Sequence, residues 1–376
     1  MLTALLKGQS IDMRILLFET TAYYPSSPLF LEALQQIVSR QPQQHQYSFI
    51  DEARFQRTRR SLVARIGRRL LRCPPVDRTA LNQALLEGAI SFRPDLILIC
   101  KGAFISPKTL AHIKRTTEAA LINYATDDPF NPRVSTPDLV DAIPLYDTYV
   151  CTKRGIMVDV AKAGCPSAIY VPFGYKPAVH FPEAPTTSEE HRRFDSDVAF
   201  IGGCDDDRVP FFKTLVEAIP TLNLALYGGF WDRKRDLRRY WRGFAVGRDF
   251  RLALGGTKIA INLVRRANRD GHTMRSFEIP ACGAFMLAER TSEHTALFAE
   301  GHAAAYFASP KELVEKVQHY LANEDERTAI AGMARTTVTT GHHTYHDRLC
   351  SIFLSASELF YPFSHDLSGG HAPSCA

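Results

Sequence analysis

Short apolar runs alternate with stretches of helical period along most of the chain. RILLF (14–18), QYSFI (46–50), DLILIC (95–100), AALINYA (119–125), DTYVC (147–151) and AIYVP (168–172) have the length and composition of buried strands. Between them, residues 28–40, 79–92, 107–116 and 154–163 carry helical patterns. Strand–helix alternation at this spacing predicts a parallel sheet with helices on both faces. The stretch FGYKPAVHFPEAPTTSEEH, rich in Pro, Thr and Glu, then breaks the rhythm and predicts a hinge.

After the hinge the pattern restarts. DSDVAFIGG (195–203), LNLALYGG (222–229), KIAINLV (258–264), AFMLA (284–288) and AAAYF (303–307) read as strands. Helices are expected up to Ile219, over 273–282, 309–323 and 325–338, and at about 344–360. Two doubly wound α/β domains facing across a cleft follow: a first domain over 13–175 and a second domain over 185–343. A C-terminal helix over 344–360 crosses back to the first domain, and 361–376 reads as a disordered tail. Residues 1–12, ahead of Met13, read as a leader or an early start. Ligands of such sheets bind beyond the carboxyl ends of the strands, so the residues just after each run carry the chemistry.

Composition narrows the class. The chain has 376 residues, 45% apolar and 23% charged, as in a soluble globular protein of two domains. No run approaches the roughly 18 apolar residues that span a bilayer. Eight scattered cysteines without a Cys-x-x-Cys pair suit reduced thiols and predict a cytoplasmic location. The net charge is +5, unevenly spread. Residues 53–72 hold eight arginines and no acid, and residues 231–251 hold eight Lys/Arg against three Asp. Such stretches attract acidic partners. Leu62, Val63, Ile66, Leu70 and Leu71 among the arginines of 53–72 fit a helix on an anionic membrane surface, or equally a solvated helix packed on the sheet.

The post-strand residues supply candidate chemistry. Gly202 and Gly203 allow close backbone approach, and Arg208 adds charge at the start of the next helix. The same stretch also reads as a tight turn with solvated acids. Tyr227 ends a strand, either to stack on a ligand or to pack. Asn262 is polar inside a buried strand and needs partners from backbone or ligand. DGHTMRSFEIPACG (270–283) places Gly271 before a short helix and Gly283 after it. There the N–H groups near Thr273, with His272 and Arg275, favour a phosphate, and Glu278 can accept from a ribose diol. Thr20 to Ser27, Lys101, Asp127 and Asp128 follow strands of the first half and face the cleft. Asp127 or Asp128 is the candidate proton acceptor, although Asp128 before Pro129 also suits a turn cap. The clusters at Asp205–Asp207 and Asp127–Asp128 read as turns or caps rather than metal ligands. His342, His343 and His346 likewise read as structural.

The segment MRSFEIPACGAFMLAE (274–289) resembles the donor-site segment of glycosyltransferases related to the spore-maturation protein CgeB. LICKGAFIS, YATDDP, YVPFGYKPAVHFP, DVAFIGG, LYGGFW and GHHTYHDR resemble that family in the same order, over roughly residues 90–350. The resemblance implies the two-domain GT-B fold and a hexosyltransferase-type enzyme. It would take a sugar from a nucleoside-diphosphate donor to a glycan, lipid-linked or protein acceptor, without a cofactor or metal. Asp270 and Glu278 have the acid–x7–acid spacing of related transferases, with Asp where Glu is commoner. By resemblance Glu278 accepts the ribose, while Gly203, His272, Thr273 and Arg275 surround the diphosphate. Peripheral contact with the inner face of the cell membrane is expected, and specific nucleic-acid binding is not. The rival readings are a nucleotide-sugar epimerase of the same architecture and a non-enzymatic anion- or nucleic-acid-binding protein.

Overall fold

A computed structural model describes residues 13–21, 28–40, 45–56 and 76–360, with side chains up to residue 355. Residues 1–12, 22–27 of the expected cleft-facing Thr20 to Ser27 segment, 57–72 of the arginine-rich stretch and 361–376 lie outside the described residues.

The first sheet has six parallel strands in the order β2-β1-β3-β4-β5-β6. They are β1 (Met13–Glu19), β2 (His45–Asp51), β3 (Leu96–Cys100), β4 (Ala120–Ala125), β5 (Thr148–Cys151) and β6 (Ala168–Tyr170). The second has five, in the order β11-β10-β9-β7-β8. These are β7 (Ser196–Ile201), β8 (Leu224–Tyr227), β9 (Thr257–Asn262), β10 (Met286–Glu289) and β11 (Ala305–Phe307), also all parallel. Both sheets are covered on two faces, which is why their strands read as unbroken apolar runs rather than alternating ones. In β1, Leu16 and Phe18 join the core under helices Arg78–Phe92 and Pro107–Thr116. Ile15 and Leu17 point the other way, toward helix Leu31–Arg40.

That second face is completed from far along the chain. Tyr345, Leu349, Ile352 and Phe353 of helix Tyr345–Phe360 pack beside Ile15, Leu17 and Tyr124. The C-terminal helix therefore crosses back to the first domain. A parallel bridge between Tyr175 and Thr344 sets the crossing, with Tyr175 N–H donating to the His343 carbonyl at 3.1 Å. A side chain at Gly174 would meet that carbonyl at 2.7 Å, so the close approach requires glycine. The expected helix over 154–163 is split into a 3-10 turn at Arg154–Ile156 and a helix at Met157–Lys162. No helix among the described residues is long and apolar enough to cross a membrane.

Candidate functional site

In the second sheet the chain runs from β7 outward to β8, then returns to β9 and proceeds to β10 and β11. The crevice at such a reversal opens between the carboxyl ends of β7 and β9. A cavity of about 250 Å³ lies there, lined by Gly202, Gly203, Arg208, Asn262, Arg265, Asp270, Thr273 and Arg275. Its opposite wall comes from the first domain, with Thr126 and Asp127 after β4 and Phe173 from the hinge.

Gly202 and Gly203 line the cavity beyond β7. Arg208 turns its guanidinium back to brace this end, donating to the Gly203 carbonyl at 3.0 Å and the Leu263 carbonyl at 3.2 Å. It is nearly buried and pairs with Asp205 at 3.2 Å. Arg265, just past β9, also pairs with Asp205 at 2.8 Å and is more open to the cavity. Asn262 is 1% exposed and bound by its neighbours: its amide donates to Ser276 Oγ at 3.0 Å, and its oxygen accepts from Thr273 Oγ1 at 2.9 Å.

The helix at the mouth spans Arg275–Ala281. Its first N–H groups are taken up internally, Thr273 N–H by Ser276 Oγ at 3.1 Å and Arg275 N–H by Thr273 Oγ1 at 3.2 Å. The charge at this end thus comes from the Arg275 side chain. Arg275 is ion-paired with Glu278, donates to the Ile201 carbonyl at 3.1 Å and lies 4.6 Å over the Phe250 ring.

Three residues expected at the donor lie elsewhere. His272 is fully buried and outside the cavity lining. Its Nε2 accepts from Phe173 N–H at 3.1 Å, so Nδ1 carries the proton that meets Glu293 at 2.8 Å. Burial lowers its pKa against the pull of Glu293, leaving a neutral crosslink between the domains rather than a phosphate donor. Tyr227 is 1% exposed, packed in the core with its hydroxyl on the Arg193 carbonyl. Glu278 is 0% exposed, held between Arg275 and His180 Nε2 at 3.5 Å, and is not among the lining residues. The physical reason is common to all three. Each is covered by packing: Tyr227 at the end of β8 and Glu278 on helix Arg275–Ala281 lie in the interior, and His272, in the bend before that helix, is enclosed by Phe173 and Glu293.

The first domain contributes a compact charge cluster. Lys101 Nζ meets Asp127 at 2.7 Å, and the Asn268 amide donates to Asp127 at 3.3 Å. Burial acts to raise the Asp127 carboxyl, but Lys101 and Lys153 outweigh it and hold the pKa at about 2. Lys153 is itself buried, bonding the Thr126 carbonyl at 3.0 Å and facing Asp270 at 3.4 Å. Burial raises the pKa of Asp270, which Lys153 opposes and Asp127 reinforces. Asp128 is committed differently. One oxygen caps Phe130 N–H at 2.9 Å and both receive Arg269, so the turn-cap reading describes its place. Among the described residues no three His, Cys, Asp or Glu are grouped to hold a metal ion. His343 meets Arg348 at 2.9 Å, while the side chain of His342 is 89% exposed.

The comparisons follow this geometry. Residues 208–353 match the family described as glycosyl transferase-like. No curated protein matches the chain. Among solved structures, the chain is similar to HepE from Anabaena in complex with UDP and glucose, with TM-score 0.63 and 12% identity over 92% of this chain and 100% of that one. Sucrose-phosphate synthase from Thermosynechococcus elongatus superposes with TM-score 0.64 and 11% identity, covering 93% and 100%. A putative UDP-N-acetylglucosamine 2-epimerase from Listeria monocytogenes gives TM-score 0.57 and 10% identity, covering 94% and 98%. The fold is that of the GT-B glycosyltransferases.

Lys153, Arg265, Asn268 and Glu293 were not singled out from the sequence. Lys153 and Arg265 do follow strand-like runs within two or three residues, the same signal that marked Lys101. Asn268 and Glu293 carry no such mark, because their roles come from contacts across the domain boundary.

Proposed function

We propose that this protein is a metal-independent glycosyltransferase of the CgeB-related kind, moving a sugar from a nucleoside-diphosphate donor to a glycan, lipid-linked or protein acceptor. The observation that carries the reading is the cavity at the β7/β9 reversal, glycine-floored, edged by Arg265 and Arg275, and faced by Asp127, which Lys101 holds. A diphosphate there meets guanidinium groups that favour the charge growing on the leaving group. The similarity to HepE, solved with UDP and with UDP-glucose, supports the same donor class. The sugar then lies toward Asp127, Lys101 and Asp270.

A carboxylate held at a pKa of about 2 is a weak proton acceptor near neutral pH. Asp127 therefore serves mainly to fix Lys101 and Asn268 and to oppose positive charge developing at the anomeric carbon. Glu278 acts through Arg275, whose guanidinium it holds at the cavity edge.

Calorimetry with nucleoside diphosphates and their sugars tests the donor assignment, and no binding by any of them would end it. The likeness to a putative epimerase favours one rival. Release of free nucleoside diphosphate that depends on an acceptor separates transfer from epimerisation.

A further inference from the structure

Beyond Gly203, at the rim of the cavity, the surface is open. A side-chain carbon built there meets only the Gly229 carbonyl oxygen, at 4.0 Å, and one built on Gly229 touches the Phe244 ring at 3.9 Å. Two side-chain-free positions thus lie between the cavity lining and the Cζ and Cε1 atoms of a phenyl ring. That ring is 63% exposed. The ring is therefore open for a flat ligand group to lie against.

The ring is held in place rather than left on a loose loop. Gly228 N–H donates to the Gly243 carbonyl at 2.8 Å, and Arg242 N–H to the Leu226 carbonyl at 2.9 Å. Trp241 Nε1 donates to the Gly228 carbonyl and Trp231 Nε1 to the Gly202 carbonyl, each at 2.8 Å. These bonds tie the segment after Trp241 to the carboxyl end of β8. Phe230, next to Gly229, adopts φ 73°, a left-handed conformation that bulky side chains avoid. Such strain is retained where a site requires it.

We propose that Phe244 is the stacking platform for the base of the nucleoside diphosphate, the aromatic role that buried Tyr227 does not fill. This rests on the nucleotide-sugar reading above. The phosphates lie at Arg275 and Arg265, the ribose crosses Gly203 and Gly229, and the base lies flat on the ring. Every nucleobase presents a π-face, so the platform supplies affinity without choosing the base.

The test compares wild type, Phe244→Ala, Phe244→Trp and Gly229→Ile by calorimetry with UDP, ADP and GDP, their nucleosides and inorganic pyrophosphate, with melting temperature as the folding control. Phe244→Ala is expected to weaken nucleosides and nucleoside diphosphates alike, on the order of tenfold, and to leave pyrophosphate unchanged. Gly229→Ile fills the open space beside the ring and gives the same pattern. In Phe244→Trp, added nucleotide quenches emission beyond the background of Trp231 and Trp241. Wild type that binds none of the nucleotides overturns the donor reading itself. Wild type that binds them, with Phe244→Ala equal within twofold, overturns only the platform. If that variant also loses sedimentation with phosphatidylserine vesicles, the ring belongs to a lipid surface.

Discussion

Arg269 of the second domain grips Asp128 of the first through two hydrogen bonds, Nε to Oδ2 at 2.6 Å and Nη2 to Oδ1 at 2.9 Å. The same guanidinium reaches Asp159, and the adjacent Asn268 accepts from Asp128 N–H at 2.8 Å. The turn carrying them is closed by Asp270, which accepts from Arg265 N–H at 3.2 Å, and Arg269 stands at φ 49°. One strained turn therefore lines the cavity with Asp270 and fastens the two domains with Arg269.

Removing this grip leaves a nearly buried carboxylate without its cation. Arg269→Ala is expected to cost about 1.5–3 kcal/mol, the worth of charged hydrogen bonds. Arg269→Lys should recover only part, since an ammonium cannot form the paired fork. Scanning calorimetry checks both, and an unchanged first transition in Arg269→Ala would refute the clasp.

The cavity-edge cation gives a second expectation. Arg275→Ala should weaken nucleoside diphosphate binding more than nucleoside binding, and lower transfer on the order of 10²-fold, as for loss of one transition-state donor. Transfer should persist in excess EDTA. Activity abolished by EDTA and restored by Mn²⁺ would reverse the metal assignment and direct attention to Asp205, Asp206 and Asp207.

Gly271 tests the domain crosslink. A side-chain carbon there would lie 2.3–2.6 Å from the Glu293 side chain, which orients His272 and also accepts from Arg154 N–H at 2.9 Å. Gly271→Ala is expected to destabilise by about 1–3 kcal/mol through this overlap. In a Glu293→Ala background the same change should cost little. Additive losses in a double-mutant cycle by thermal denaturation would disprove the steric account.

Glu19 predicts a pH dependence. Burial raises its pKa from 4.5 to about 7, despite N–H groups donated by Leu29 and Phe30. The folded state favours the protonated form, so stability is fullest below 4.5 and falls as pH rises toward about 7. The loss is about 3 kcal/mol, from the size of the shift. Glu19→Gln does not titrate, so its stability relative to wild type should rise across that window and then level off. Denaturant midpoints at several pH values measure this difference, and a flat difference would overturn the assignment.

The order of strands and helices, and the restart of the pattern in a second sheet, were legible in the chain because parallel strands buried on both faces need continuous apolar runs. Gly283, in the left-handed conformation at φ 78°, was legible from local backbone demands. Asp127 and Gly203 line the cavity because positions just after strands face the crevice of this architecture, and Arg275 lines it from the start of a helix. Tyr227, His272 and Glu278 were equally conspicuous in the sequence. Their burial was decided by what packs over each position, and a residue's type does not carry that information. The contacts of Arg269 with Asp128 and Asp159, and of Glu293 with His272, join residues that are 141, 110 and 21 positions apart. Such pairings arise only in the folded tertiary structure, because the energy of a charge pair depends on the distance and burial that packing imposes.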